Sequence, residues 1–557
     1  MSAAANLAWA DAFVAHLAAA GLRHVVLAPG ARSAPLALAA LRRPEIACHV
    51  VGDERAAGYF ALGIGRATRW PAAVLCTSGT AAANLLPAVM EANLGGAPLL
   101  LLTADRPTGA SGWGANQTAD QTRLYGSQVR AFHAAPMPTV PADVHHLRML
   151  AARVLEECRA PVAGPVHVNL PFGEPLLPET IPAAPPLPEA MALVEPAPEL
   201  PSLAALDALA AKLSGRCGVI VCGELDAAPD FGTALATLAA RLGAPVLAEP
   251  LSNLRCGPHD RSRILAHQAR FLRQPGLPAP DWVLRLGSFP VSRTLERWLA
   301  GLDRAHHVLV APPGRWPDPL HRSDAVLRAD AGALAEALAA RVMPAPADWC
   351  AAWQRAESEA ASCAKEVCAA DPLFEGSVAN QLIDALPAGA HCFVGNSLAI
   401  RAVDAFTGTR AKPLQLHGNR GASGIDGNIA SAAGIAAAVG APVALLIGDQ
   451  TALHDCGSLA LLAGRDIVAV VMDNGGGGIF DHLPFAGAVP PPLFARGWTA
   501  APHADFASLA AAFGVAHAMA TDGESLRRAL ETAFAAGGPW LLRAVVDRVS
   551  SRERFAA

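Results

Sequence analysis

The chain has 557 residues, 52% of them hydrophobic and 16% charged, with a formal net charge of −5. That length holds three or four ordinary domains, and that charge balance excludes general nucleic-acid binding while leaving single basic residues for small anions. No run reaches the roughly eighteen uncharged apolar residues of a membrane span, and eleven scattered cysteines without a CxxC pair argue for a reducing cytoplasm over a disulfide framework or zinc site.

The opening residues, MSAAANLAWADAFVAHLAAAG, are interrupted by Asp11 and preceded by no basic segment, which predicts an amphipathic helix and not a signal peptide. Next, HVVLAP, AAVLCTSG, PLLLLTAD and GPVHVNLP predict strands, and TAAANLLPAVMEANLG predicts a helix opened by Ser78, Gly79 and Thr80. The Pro-rich stretch 181–201 predicts an extended linker. In 202–345, CGVIVCG, APVLAEP, WVLRLG and HHVLVAP predict a second set of strands, and 346–370 reads as a helical connector carrying Trp349 and Trp353. In 371–557 the strands are HCFVGN, PLQLHG, VALLIGD, IVAVVMDN and PWLLRAVV. Strands alternating with helices predict an α/β protein of three doubly wound parallel sheets, in 1–180, 202–345 and 371–557. The first and third units are candidates for distant structural relatives.

Two segments far apart carry candidate chemistry. Gly448 and Asp449 close one apolar run, Asn474 closes the next, and Gly475 to Gly478 follow. Buried parallel strands read as continuous apolar runs, and ligands of open α/β sheets gather at strand carboxyl ends. A carboxylate, an amide oxygen and a backbone carbonyl there suit Mg²⁺, which takes oxygen ligands and shares them with phosphates. Glycines let a backbone approach a diphosphate closely. Alone, a Gly-Asp turn and a glycine run are ordinary loop features. Glu54 follows the strand-like HVVGD and opens the apolar helix AAGYFALGIG. It suits a proton relay, or only a favourable charge at a helix N-terminus.

Together these segments resemble the thiamine diphosphate enzymes, whose signature opens with Gly-Asp and closes on Asn; here Asp473 stands before Asn474 where Asn is commoner. APGARSAPLALA, DERAAGYFALGIGRA, TSGTAAANLLPAVMEA, LLLTADRP and GANQT run in order through the first unit. FVGNSLAIRAVDA, GNRGASGIDG, GDQTALHD and DNGGGGIFDHLP run through the third. This set resembles the 2-succinyl-5-enolpyruvyl-6-hydroxy-3-cyclohexene-1-carboxylate synthase family of menaquinone biosynthesis, over nearly the whole chain and least in the middle unit.

The resemblance implies pyrimidine-binding (PYR), central and diphosphate-binding (PP) domains for the three units. It implies a transferase using thiamine diphosphate with Mg²⁺, for which Mn²⁺ substitutes. The reaction decarboxylates 2-oxoglutarate and adds the succinyl carbanion to isochorismate. Glu54 is then the catalytic proton relay, and Asp449, Asn474 and the Gly476 carbonyl are the metal ligands. Gly448, Gly476, Gly477, Ile479, Ile425 and Ser397 contact the cofactor, with Ile425 propping its bent form. Arg401 and Arg420, with Ser397 nearby, meet the 2-oxoglutarate part; Arg32, Asn116, Gln117 and Arg293 hold isochorismate. Two anionic substrates call for such arginines, whose fork matches carboxylates. In these enzymes the glutamate and the metal ligands come from different subunits, so a homodimer or homotetramer with interfacial sites is implied. Ala31 replaces the family's usual Ser, and Thr294 follows Arg293 where some members have a second basic residue; both touch isochorismate binding.

Three other readings compete. Another thiamine diphosphate carboligase or decarboxylase, of acetolactate synthase or benzoylformate decarboxylase type, would need Glu54, Asp449 and Asn474 but not the arginine set. A non-catalytic relative would be expected to have lost one of those three residues. Dinucleotide binding by the middle unit lacks support, because no GxGxxG follows its first strand, GVIVCGELDAAPD.

Overall fold

The computed structural model describes residues 2–188, 194, 199–501 and 504–556. Part of the expected linker, 189–193 and 195–198, lies outside the described residues. Among the described residues the strands form three six-stranded sheets, parallel throughout. The first contains β1 (His24–Leu27), β2 (Ala47–Val50), β3 (Ala72–Cys76), β4 (Leu99–Asp105), β5 (Ala131–Ala134) and β6 (Pro165–Pro171), in the order β2-β1-β3-β4-β6-β5. The central sheet has β7 (Gly218–Cys222), β8 (Val246–Ala248), β9 (Ile264–Leu265), β10 (Trp282–Leu286), β11 (His306–Val310) and β12 (Ala325–Leu327), in the order β12-β11-β10-β7-β8-β9. The third has β13 (His391–Val394), β14 (Gln415–His417), β15 (Val443–Gly448), β16 (Ile467–Asp473), β17 (Ala516–Ala520) and β18 (Trp540–Val545), in the order β14-β13-β15-β16-β18-β17. This is an α/β protein with three doubly wound sheets.

The first and third sheets share one strand order, counted from the first strand of each. Each also pairs a histidine on its first strand with one on the neighbouring edge strand, His24 with His49 and His391 with His417. These two units are structural repeats of each other, and the central sheet is wound differently.

Every apolar run named from the sequence is a strand. Those not read there, β5, β9, β12 and β17, are all edge strands. Edge strands are short and half-covered, so they lack the continuous apolar run that marks a central one. The helix expected at Thr80 is broken by Pro87 into Thr80–Asn84 and Leu86–Gly95, as proline's missing N–H and ring clash require. The first helix, Ala3–Ala19, is capped by Ser2 but is not one-sided. Asn6, Asp11 and His16 are buried with its apolar residues, Asn6 donating to the Gly173 carbonyl and Asp11 pairing with Arg42.

The chain folds into two compact units. The first holds Met1–Pro196, Asn419–Gly440 and Asp455–Arg465; the second holds Ala197–Gly418, Ala441–His454 and Asp466–Ala557. In the first, the helix Asn428–Ala438 lies against the helix Glu54–Thr68. Glycines set how close they come. A Cβ at Gly63 would strike the Ser431 carbonyl, and one at Gly434 would strike the Phe60 carbonyl. Arg465 stacks over Phe60, 5.1 Å from the ring centre.

In the second unit, Trp349 and Trp353 of the helix Ala347–Ala370 bury against Phe271 and Trp298 beside the central sheet. Arg255 anchors the helix Leu398–Phe406 to the end of β8. Its Nε donates to the Ala248 carbonyl at 2.8 Å, its Nη2 to the Asp404 carboxylate at 2.6 Å, and its Nη1 to the Asp404 carbonyl at 3.0 Å. Both side chains of this ion pair are within 4% of full burial. Removing one partner of a buried pair leaves an uncompensated charge, at a cost of about 3–5 kcal/mol. Arg255→Met should therefore lower the unfolding midpoint of the second unit markedly, read by thermal and urea denaturation, whereas a shift of the size seen for an exposed ion pair would contradict the anchor.

Candidate active site

The register of β15 with β16 pairs Gly448 with Met472, so the next residues, Asp449 and then Asp473 and Asn474, emerge together at the carboxyl edge of the third sheet. Asp449 is buried; its Oδ1 accepts the Gln450 N–H at 2.7 Å and its Oδ2 the Gly476 N–H at 2.6 Å. Burial, with the neighbouring Asp473 carboxylate, pushes Asp449 up to about 6. Asp473 is itself paired with Arg543 at 2.6 Å.

The Asn474 amide is oriented by a residue the sequence reading did not name. Its Nδ2 donates to Glu375 Oε1 at 2.9 Å. Glu375 opens the helix Glu375–Ala385, is fully buried, and accepts from Ser551 of the helix Arg548–Ala556 through its other oxygen. Burial pushes the Glu375 carboxyl up. With Nδ2 so held, Asn474 Oδ1 is buried without a partner among the described residues. An orphaned buried acceptor beside a buried carboxylate suits a hard cation. Nothing in FEGSVANQ marks Glu375; only the fold brings it to Asn474.

Gly475, Gly476 and Gly477 have φ of 76°, 87° and 57°, the left-handed region that glycine enters at no steric cost. A Cβ at Gly476 would meet the Thr499 carbonyl, and one at Gly477 the Trp498 carbonyl. This is a cradle that any larger residue would fill. The Gly476 carbonyl, expected as a metal ligand, accepts from Arg548 Nη1 at 2.6 Å and keeps a second lone pair. Arg548 also grips Asp481, at 2.5 and 2.8 Å. Gly448, directly before Asp449, and Ile479, two residues beyond the cradle, are half-buried.

Ser397 sits before the helix Leu398–Phe406 at φ 67°, and its carbonyl accepts from Arg401 Nη1 at 2.7 Å. A non-glycine residue held there is strained, a state that concentrates at functional sites. Arg401 is half-buried, while Arg293 opens the helix Arg293–Ala300 and is exposed.

In the first unit the carboxyl ends of β1, β3, β4 and β6 gather a polar cluster. Arg32 is buried, its Nη1 donating to the Phe172 carbonyl at 3.0 Å and its Nη2 to Glu174 at 2.8 Å. Gln117, at φ 54°, donates to the Ser78 carbonyl at 3.1 Å, and its own carbonyl accepts from Ser78 Oγ and from Arg106. Asn116 is exposed beside it. Arg106 was not singled out from the sequence; it also donates to Ser78 Oγ at 2.5 Å, and burial with the nearby Arg32 charge lowers its pKa. Its signal was present in TADRP, an arginine directly following a buried strand.

Glu54 is the first residue of its helix, which Asp53 caps through the Ala56 N–H at 3.1 Å. The acidic cap is therefore Asp53. Glu54 is half-buried, and its carboxylate has no hydrogen-bond partner among the described residues. From the same helix Tyr59 donates to Asp426 Oδ2 at 2.6 Å. That bond holds the segment carrying Arg420 and Ile425, both half-buried.

In the central sheet the order reverses between β7 and β10, where such folds place a nucleotide. Main-chain hydrogen bonds join the segments after β7 and β10 here. The Gly223 N–H donates to the Leu286 carbonyl at 2.9 Å and the Ser288 N–H to the Glu224 carbonyl at 2.7 Å.

Residues 8–124 match the family model for the thiamine pyrophosphate enzyme N-terminal TPP binding domain. Residues 199–394 match the middle domain of thiamine pyrophosphate enzymes, and 402–544 the C-terminal TPP binding domain. The chain is 42% identical to a 2-succinyl-5-enolpyruvyl-6-hydroxy-3-cyclohexene-1-carboxylate synthase of Dechloromonas aromatica, across 96% of this chain and 98% of that protein. Proteins of the same name are 41% identical in Chloroflexus aurantiacus, across 95% and 92%, and 39% identical in Sorangium cellulosum, across 99% and 94%.

Partners that orient a metal ligand are worth about 10- to 100-fold in affinity or activity. Glu375→Gln should weaken divalent-dependent binding of thiamine diphosphate by a factor in that range, measured by tryptophan fluorescence titration. Unaltered affinity would show that Asn474 is oriented without Glu375.

Proposed function

This chain belongs to the 2-succinyl-5-enolpyruvyl-6-hydroxy-3-cyclohexene-1-carboxylate synthase family of thiamine diphosphate enzymes, and from that premise we propose how its residues divide the work. The protein is a thiamine diphosphate-dependent transferase of menaquinone biosynthesis. It decarboxylates 2-oxoglutarate and joins the succinyl unit to isochorismate. The observation that carries the site assignment is the orphaned Asn474 Oδ1 beside Asp449 and a glycine cradle.

Asp449, Asn474 and the Gly476 carbonyl would hold Mg²⁺ or Mn²⁺, and Gly475 to Gly477 would admit the diphosphate. When bound, thiamine diphosphate supplies a nucleophilic carbon and a sink for the electron pair that decarboxylation releases. Glu54 relays the proton: its half-buried carboxylate accepts from no donor among the described residues. Arg401 and Arg420 bind the carboxylates of 2-oxoglutarate, Arg401 being braced against the strained Ser397. Ile425, held in the segment that Tyr59 fixes, supports the cofactor ring.

Arg32, Asn116, Gln117 and Arg293 hold isochorismate, and Arg106 joins them through Ser78 and Gln117. Ala31 offers no hydroxyl there, so the guanidinium groups carry more of the binding. Carboxylate ligands favour the bidentate guanidinium fork, and Arg32 presents it from a buried position while Arg293 is exposed.

The active assembly in this reading is a homodimer or homotetramer, with Glu54 of one copy completing the metal half-site of another. An apolar stripe is consistent with it: Leu86, Met90 and Leu94 lie at helical spacing on Leu86–Gly95 and are 37%, 37% and 46% exposed. No helix among the described residues is long and apolar enough to cross a membrane, and eleven cysteines without a disulfide suit the reducing cytoplasm.

The test is isochorismate consumption by purified protein with 2-oxoglutarate, Mg²⁺ and thiamine diphosphate, each omitted in turn. The reading requires that every omission abolish it; CO₂ release without isochorismate loss would point to another acceptor. Glu54→Gln should keep fold and cofactor affinity while turnover falls about 100- to 10,000-fold, the range of general acid–base catalysis; near-normal turnover would remove Glu54 from the mechanism.

A further inference from the structure

One buried charge in the first unit has no role in the reaction as described. Glu91, on the helix Leu86–Gly95, is 1% exposed. Its Oε1 accepts from Arg66 Nη2 and from the Gly421 N–H, both at 2.8 Å. Its Oε2 accepts the Ala422 N–H at 2.7 Å and the Ser423 N–H at 3.3 Å. Three successive backbone N–H groups facing one anion form a nest, the arrangement that elsewhere binds phosphate. Here a side chain of the same unit fills it.

The nest begins at the residue after Arg420. Gly421 lies so close to the end of the Glu91 helix that a Cβ would meet the Gly95 backbone nitrogen and the Glu91 carbonyl. Ser423 is held at φ 62°, a conformation a serine adopts only when its surroundings impose it. Arg66, which neutralises Glu91, is on the same helix as Glu54. A continuous chain of charge and hydrogen bonds thus runs from the Glu54 helix through Arg66 and Glu91 to the backbone that presents Arg420.

We propose that Glu91 is a positioning residue for 2-oxoglutarate binding: it fixes the backbone of residues 421–423 and thereby the place of Arg420. This rests on the reading above that Arg420 binds a carboxylate of that substrate. Both Glu91 oxygens are taken by protein donors, so Glu91 acts through the backbone it holds. Glu91→Gln tests it, because the amide keeps the size but presents a donor to N–H groups that need an acceptor.

The measurement is the KM for each substrate, with thiamine diphosphate affinity as a second readout, in Glu91→Gln, Arg420→Ala and the double variant. Glu91→Gln should raise the KM for 2-oxoglutarate about 10- to 100-fold, as the loss of an orienting partner does, and change the KM for isochorismate far less. The double variant should be no worse than Arg420→Ala alone, since coupled residues are not additive. Equal changes in both KM values, or multiplied effects in the double variant, would overturn the proposal while leaving the Arg420 reading intact. An unchanged KM for 2-oxoglutarate in Arg420→Ala would overturn both. If Glu91→Gln does not fold, Glu91→Asp, which keeps the charge at shorter reach, should show the same split; failure of both to fold would make Glu91 a stability residue and overturn the proposal.

Discussion

The first unit depends on one close approach between two helices. Gly63 and Gly434 each lie against a carbonyl of the other helix, of Ser431 and Phe60, so backbone meets backbone with no side chain between. Gly427, at φ 65°, lies against the ring of Tyr59 on the Glu54 helix. Interiors are packed too densely to absorb an added methyl there without a shift. The Glu54 helix and the segment carrying Arg420 and Ile425, far apart in sequence, therefore behave as one body. In the proposed roles, the proton relay Glu54 and the substrate cation Arg420 would share a single backbone reference.

A second constraint acts in the third sheet. Parallel pairing of β15 with β16 leaves no freedom in where Asp449 falls relative to Asn474, because the register fixes both. Glu375 then fixes the amide, and Ser551 and Arg548 tie the chain's last helix to it. The geometry of these side chains is held by rigid strand ends, with orientation settled by buried partners. The repeat of one strand order in the first and third sheets means that both half-sites use the same feature of the fold, the carboxyl edge of a parallel sheet.

Much of this was legible in the sequence, for physical reasons. Central strands buried on both faces must be apolar along their whole length, so VALLIGD and IVAVVMDN announce themselves. A carboxylate, an amide and glycines at their ends are conspicuous because such residues are costly there without a ligand. Edge strands such as β12 and β17 carry no such signal. The helix starting at Ala3 was expected to be one-sided, yet it buries Asn6 and Asp11 against carbonyl and arginine partners that sequence periodicity cannot show. Glu375 and Glu91 were missed for a related reason. Their meaning lies in a partner distant in the chain, and a lone charged residue reads as a solvated surface group until the fold supplies that partner. Arg255 is the same case on the structural side, an arginine in NLRCG whose acceptors are the Ala248 carbonyl and Asp404.

The central claim is that the helix bearing Glu54 and the segment bearing Arg420 act as one backbone-packed body, and Gly63→Ala tests it most directly. The added methyl must displace the Ser431 carbonyl, at a stability cost of about 1–3 kcal/mol for overpacking that leaves the protein folded. The account predicts an unchanged far-ultraviolet circular dichroism spectrum together with a joint loss, in steady-state kinetics, of turnover and of apparent 2-oxoglutarate affinity. A misplacement near 1 Å is worth about 100-fold. Wild-type kinetics in a folded Gly63→Ala protein, or loss of one parameter alone, would contradict it.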